Sequence, residues 1–192
     1  MSDAPTTAPG RLTVICGCMF AGKTAELIER LSAAQHAGKS ARAFKHAIDV
    51  RYQAGRLATH DGRTFPAQVA SSAAEIAARR GDARVVGIDE AQFFGRALVA
   101  VCRTLTAAGV GVIVVGIDHD AWGRPFPPLP ELKTLANEVR VLSAPCRVCG
   151  RPARFSERMV PVTDPLMVGG PEAYEPRCEA CFHPLPAPAP AY

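Results

Sequence analysis

Apolar positions recur along the chain in two alternating rhythms: short continuous runs, and longer stretches where they return every three or four residues. Leu12 to Cys16 is a compact apolar run that ends at a glycine-containing loop. Leu27, Ile28, Leu31 and Ala34 then share one face of a helix that Gly38 stops. Ala41 to Phe44 predicts a strand, Ser72 to Arg80 a helix opened by a Ser72-x-x-Glu75 capping box, and Val85 to Ile88 a second buried strand. Phe94 to Ala108 predicts a further helix, Val110 to Val115 a glycine-bounded strand, Leu129 to Asn137 a helix, and Val139 to Leu142 a last strand. Alternation of this kind predicts an α/β fold whose mostly parallel sheet is flanked by helices.

After Leu142 both rhythms stop, and prolines, glycines and paired cysteines take over, so a boundary is expected near Ser143. Residues 1–10 and the proline-alternating residues 184–192 read as tails. The expected organisation is a main domain over 11–142 and a small cysteine-bearing domain over 143–183. A chain of 192 residues has room for one good core and a satellite, not two full-sized domains.

Charge changes this picture little. A formal net charge of +4 is too small to imply a nucleic-acid surface, although it suits an anionic substrate. The longest apolar run, Val110 to Ile117, contains two glycines, and the first residues lack the features of a signal peptide, so no membrane association is expected. Cytoplasmic residence is the default expectation, and in that setting seven cysteines point to metal binding or packing rather than disulfides.

Gly17-Cys18-Met19-Phe20-Ala21-Gly22-Lys23-Thr24 fits the phosphate-loop pattern G-x-x-x-x-G-K-[ST], directly after a predicted strand and at the start of a predicted helix. Glycines let backbone N–H groups turn toward phosphate oxygens, the helix N-terminus adds positive potential, and Lys23 brings a mobile charge to the β- and γ-phosphates. Thr24 is expected to place its hydroxyl on Mg²⁺. The strand Val85 to Ile88 ends in Asp89 and Glu90, the form of a second, acidic nucleotide-binding element. Asp89 is the candidate for holding Mg²⁺ and Glu90 the candidate general base. From these residues alone, a base that activates water in an ATPase is not separable from one that activates a sugar hydroxyl.

Cys146-x-x-Cys149 and Cys178-x-x-Cys181, with 28 residues between the pairs, have the spacing of a four-thiolate zinc site that closes the metal off and makes it structural. His183 is an alternative fourth ligand, but a lone histidine in a proline-rich tail is more often exposed. Two exchanging redox pairs would need a thioredoxin-like βαβ setting that this irregular segment lacks. A zinc-bearing nucleic-acid module is the non-enzymatic alternative. Against it, Arg147, Arg151, Arg154, Arg158 and Arg177 are balanced by Glu157, Asp164, Glu172, Glu175 and Glu179. Cys16 and Cys102, in apolar settings, read as packing residues.

Together these residues resemble the zinc-containing family of cellular and bacterial thymidine kinases, over nearly the whole chain. The phosphate loop follows the family's G-[PS]-M-F-[SA]-G-K-[ST] apart from Cys18, and Asp89-Glu90-Ala91-Gln92-Phe93-Phe94 reproduces D-E-[AG]-Q-F-F. Gly116 to Asp120 with Gly123 to Phe126, Asp49 to Tyr52, Thr59-His60-Asp61, and Val168-Gly169-Gly170-x-x-x-Tyr174 resemble further family segments, the last of them the strand closing a substrate lasso.

The resemblance implies that ATP donates a phosphoryl group to a nucleoside. Glu90 then acts as base toward the 5′-hydroxyl, Arg51 stabilises the transferred group, and residues 17–24 with Asp89 handle ATP and Mg²⁺. It further implies that Met19, Phe93, Ile117, Phe126, Ser156 and Tyr174 line the base pocket, and that the zinc-bound domain carries the lasso. A homotetramer and feedback inhibition by the triphosphate end product are implied as well. Two departures bear on base choice. Ala121-Trp122 stands where the family has Phe followed by Arg or Gln, and Ser156 replaces the commoner Thr, which admits deoxyuridine as a second substrate.

Overall fold

The computed structural model describes residues 8–49, 55–59, 61–161, 169–184 and 186. Seven strands form one sheet in the order β3-β4-β2-β5-β6-β1-β7. These are β1 (Leu12–Gly17), β2 (Ala41–His46), β3 (Arg56–Ala58), β4 (Thr64–Ala70), β5 (Val85–Ile88), β6 (Gly111–Gly116) and β7 (Glu138–Leu142). All pairings are parallel except β3 with β4. Parallel strands need crossovers, and the helices supply them: α1 (Lys23–His36), α2 (Ala73–Arg79), α3 (Ala97–Ala107) and α4 (Leu129–Leu135).

Strand alternation divides the core into two layers. Val14, Cys16, Val112 and Val114 face α2, α3 and α4, where Ile76, Leu98, Cys102, Leu105, Leu129 and Leu132 complete one cluster. Ile15, Ala43, Ile113 and Val115 face the opposite way, onto Leu27, Ile28 and Leu31 of α1. Helix α1 approaches closely because β5 carries Gly87, where a Cβ would lie 2.7 Å from a Leu31 methyl. The first layer sets an expected stability effect. Leu98 is fully buried, so Leu98→Ala costs about 2–5 kcal/mol, read as a lower urea midpoint at unchanged slope.

Several elements differ from the sequence expectation. The predicted helix from Phe94 to Ala108 is broken. A 3-10 turn covers Ala91–Phe94, Gly95 takes φ 63°, and only then does α3 begin at Ala97. Helix α4 ends at Leu135 and does not extend to Asn137, whose side-chain oxygen accepts the Leu12 N–H at 2.7 Å and fastens the start of β1. Helix α2 is capped as expected by Ser72, whose hydroxyl accepts from the Glu75 N–H, while Glu75 reaches back to the N–H of Ser71. Strands β3 and β4 are additions to the pattern.

Beyond β7 the chain is not devoid of strands. β8 (Ala144–Pro145) pairs antiparallel with β9 (Pro152–Ala153), and β10 (Phe155–Arg158) with β11 (Tyr174–Arg177). These ribbons are too short to stand alone in water. Among the described residues no helix is long and apolar enough to cross a membrane.

Candidate functional site

The carboxyl ends of β1, β5 and β6 lie side by side in the sheet, and the candidate residues issue from all three. β1 ends at Gly17, which has φ 138° and whose Cβ, were there one, would sit 2.1 Å from the Leu142 carbonyl oxygen of β7. Only glycine permits that turn. The loop then winds through positive φ at Phe20 and Gly22 before α1 begins at Lys23. Lys23 Nζ donates to the Cys18 carbonyl at 2.6 Å. Burial holds its ammonium below the ordinary lysine range, against the opposing pull of Glu90 and Asp89.

Thr24 and Asp89 meet across the loop, the hydroxyl donating to the carboxylate at 3.1 Å. A hydroxyl and a carboxylate in contact beside a phosphate loop are the hard oxygen pair that Mg²⁺ takes, so the residues fit that ion. Asp89 is 5% exposed. Burial, followed by the charge of Glu90, raises its carboxyl well above the usual range, more than hydrogen bonds from Thr24 and the Glu90 N–H offset. A bound cation reverses that balance.

Glu90 follows in left-handed backbone conformation, φ 53° and ψ 47°, which turns its side chain away from the strand direction. One carboxylate oxygen accepts a short hydrogen bond from the side-chain amide of Gln92. The other end of that amide, the Gln92 carbonyl oxygen, accepts the Ile117 N–H at 3.2 Å. Gln92 thus ties Glu90 to the end of β6. Sequence reading quoted this residue within a motif and gave it no role; its signal was a polar side chain in an otherwise apolar turn.

A cavity of about 320 Å³ opens here, walled by Met19, Phe20, Lys23, Thr24, Glu90 and Ile117, with Thr59, Asp61 and Arg63 of the β3–β4 connection opposite. That is enough for a small ligand. Met19 also packs with Ala173 and Tyr174, and with the edges of Ile117 and Ala121. Tyr174 is held through its hydroxyl by Arg158 at 2.9 Å. The structure therefore brings Met19 and Ile117 together with Glu90 in the cavity wall, with Tyr174 packed on Met19 outside that wall. Ser156 is 3% exposed, and its hydroxyl accepts the Met19 N–H at 2.8 Å. Phe93 and Phe126 do not wall this cavity. Phe93 faces the ring of His46 at 6.0 Å, and Phe126 is engaged by its N–H on the Asp118 carbonyl. Arg51, with Val50 and Tyr52, lies outside the described residues, as do His60 and Val168.

The four cysteines converge: the sulfurs of Cys146, Cys149, Cys178 and Cys181 all lie within 4.8 Å of one another, Cys149 and Cys178 at 3.5 Å. Tetrahedral zinc, with Zn–S near 2.3 Å, needs sulfurs about 3.8 Å apart. The donor chemistry agrees. Burial pushes the Cys146 thiol up, but N–H groups of Cys178, Cys149 and Val148 outweigh it and bring it to about 6, while sulfur-to-sulfur hydrogen bonding pushes Cys181 up to about 12. Four sulfurs this close can all be ionised only around a cation, and the set fits structural zinc. His183 is not part of it. Its ring is turned to the Phe182 carbonyl and its N–H to Glu157.

Of the remaining three cysteines, Cys16 and Cys102 pack as expected: burial raises Cys16 to about 11 and Cys102 to about 12, leaving both as unreactive thiols.

Residues 10–182 match the family model described as thymidine kinase. Among curated relatives, the thymidine kinase of Rhodothermus sp. is 43% identical over 190 residues, covering 95% of this chain and 89% of its own. That of Bacteroides fragilis is 43% identical over 177 residues, 92% of this chain and 89% of its own. That of Coprothermobacter proteolyticus is 45% identical over 178 residues, 90% of each. With a loop of the phosphate-binding pattern, an acidic strand end and a zinc-fitting quartet in one fold, and with these matches over nearly its full length, the chain belongs to the thymidine kinase family.

Proposed function

We propose that the chain transfers the γ-phosphoryl group of ATP to the 5′-hydroxyl of thymidine, giving thymidine monophosphate and ADP, with Glu90 as general base. The observation that carries this reading is the shared cavity, whose lining joins the Glu90 carboxylate to Lys23 and Thr24 and to the apolar side chains of Met19 and Ile117. Such a cleft seats a flat, mostly apolar base on one side and a polyphosphate on the other.

In this reading the backbone of residues 17–22 cradles the phosphates and Lys23 neutralises their charge. Thr24 and Asp89 would hold Mg²⁺, which would supply positive charge to offset that of the phosphates. Glu90 accepts the 5′-hydroxyl proton as the oxygen bonds to phosphorus and the bond to the ADP oxygen breaks. Arg51 contributes a planar, multidentate contact to the transferred group. Tyr174, packed on Met19, and Ser156, which accepts the Met19 N–H, are assigned to the nucleoside side, and the smaller Ser156 admits deoxyuridine as a second substrate. Residues 11–142 serve as the ATP-binding domain and 143–183 as the zinc-clasped lasso. A cytoplasmic homotetramer with triphosphate feedback follows the family resemblance.

The test is product chromatography from MgATP with thymidine, deoxyuridine and deoxycytidine supplied separately. Thymidine monophosphate is the expected main product, with deoxyuridine monophosphate second. ADP released without any nucleoside monophosphate would make the protein an ATPase.

A further inference from the structure

Two consecutive residues of the phosphate loop each make a hydrogen bond to the zinc-fitting segment. The Cys18 thiol donates to the Ala153 carbonyl at 3.4 Å, and the Met19 N–H to the Ser156 hydroxyl at 2.8 Å. Both contacts are buried. Cys18, 1% exposed, also packs in one cluster with Ala144, Ala153 and two of the four clustered cysteines, Cys146 and Cys178, and Ala21 of the loop lies against the same cluster. Covalent continuity adds to this. β7 runs beside β1 up to the pair Gly17 and Leu142, and the chain passes from there through β8 straight into Cys146.

The loop has reason to need outside support. It holds Phe20 at φ 64°, a conformation that a bulky residue adopts only when its surroundings over-determine it. The Ser156 hydroxyl takes the Met19 N–H, so that group is fixed sideways and the rest of the loop is left to present its N–H groups to phosphate.

We infer that residues 144–156 are a positioning element for the phosphate loop, acting through Cys18 and Ser156, so that ATP affinity as well as nucleoside affinity depends on this segment. This rests on the phosphotransfer reading and deepens it. Without the two bonds the loop spends less time in its cradle conformation, and apparent nucleotide affinity falls by that fraction.

The test is calorimetric titration of the full-length, zinc-loaded protein with Mg²⁺ and a non-hydrolysable ATP analogue, and separately with thymidine. Ser156→Ala is expected to weaken analogue binding by about tenfold, the effect of one buried hydrogen bond, and Cys18→Ala, whose thiol is a weaker donor, by about fivefold. Ser156→Thr and Cys18→Ser, which keep the acceptor and the donor, stay within about twofold of wild type. Should Ser156→Ala fail to fold, Cys18→Ala carries the same two outcomes alone. Unchanged analogue affinity in the alanine variants, with only thymidine binding reduced, would overturn the inference and leave the phosphotransfer reading standing. A wild type that binds no analogue would overturn both.

Discussion

Replacing Glu90 by glutamine lowers kcat by about a hundredfold to ten-thousandfold, the range for losing a positioned general base, while MgATP affinity stays within about twofold. Glutamine matches glutamate in size and can still accept the hydrogen bond from the Gln92 amide, so Ile117 and the end of β6 stay where they are. It cannot take a proton. The hydrogen bonds of Thr24 with Asp89 and of Lys23 with the Cys18 carbonyl do not involve the Glu90 side chain, which is why binding and turnover separate. Steady-state rates set beside calorimetric affinity check this. Retained kcat would move the base role to another group, with Asp89 next in line.

Cys146→Ser carries the second large effect: zinc content falls from about one ion per chain to near none, and thymidine affinity drops at least about tenfold. Among the described residues the segment beyond β7 has mainly small apolar contacts to hold it. Its strands are two to four residues long, the cluster around the quartet consists of alanines and cysteines, and Tyr174 on Met19 and the stacked rings of Phe155 and Phe182 are its larger contacts. A structural zinc site is worth about 10–16 kcal/mol of apparent binding energy, far more than such a cluster supplies. Ser156 and Tyr174 stand on β10 and β11, beside the cysteines, and both contact Met19 of the cavity wall, so loosening the clasp disturbs the wall to which the nucleoside is assigned. The main sheet has its own two-layer core and keeps its fold. Metal analysis and thymidine titration are the measurements; metal-free protein with full thymidine affinity would refute the clasp.

What the sequence disclosed follows from length and period. β1, the phosphate loop and α1 were legible because an apolar run and a helical repeat flank a motif with fixed spacing, and β5 and β6 because central parallel strands are apolar on both faces. β4 escaped because Pro66 interrupts it. That proline is tolerated because the stretch Thr64–Pro66 pairs only with short β3, and pairing with β2 starts at Ala67. The 3-10 turn before α3 escaped for the opposite reason, since Phe93 and Phe94 before Gly95 and the apolar run from Ala97 after it hide the break that Gly95 makes. At the site, the quartet was readable from spacing alone. The bonds from Cys18 to Ala153 and from Met19 to Ser156 were not, because each spans more than 130 positions and no local pattern encodes such a meeting.

Glu90 at φ 53° has one more consequence. A left-handed residue other than glycine costs about 1–2 kcal/mol, so glycine or asparagine would rest more easily at this position than the acid does. Evolution toward heat resistance and evolution toward turnover therefore pull this codon in opposite directions, and a redesign scored on folding alone would discard the proposed proton acceptor first.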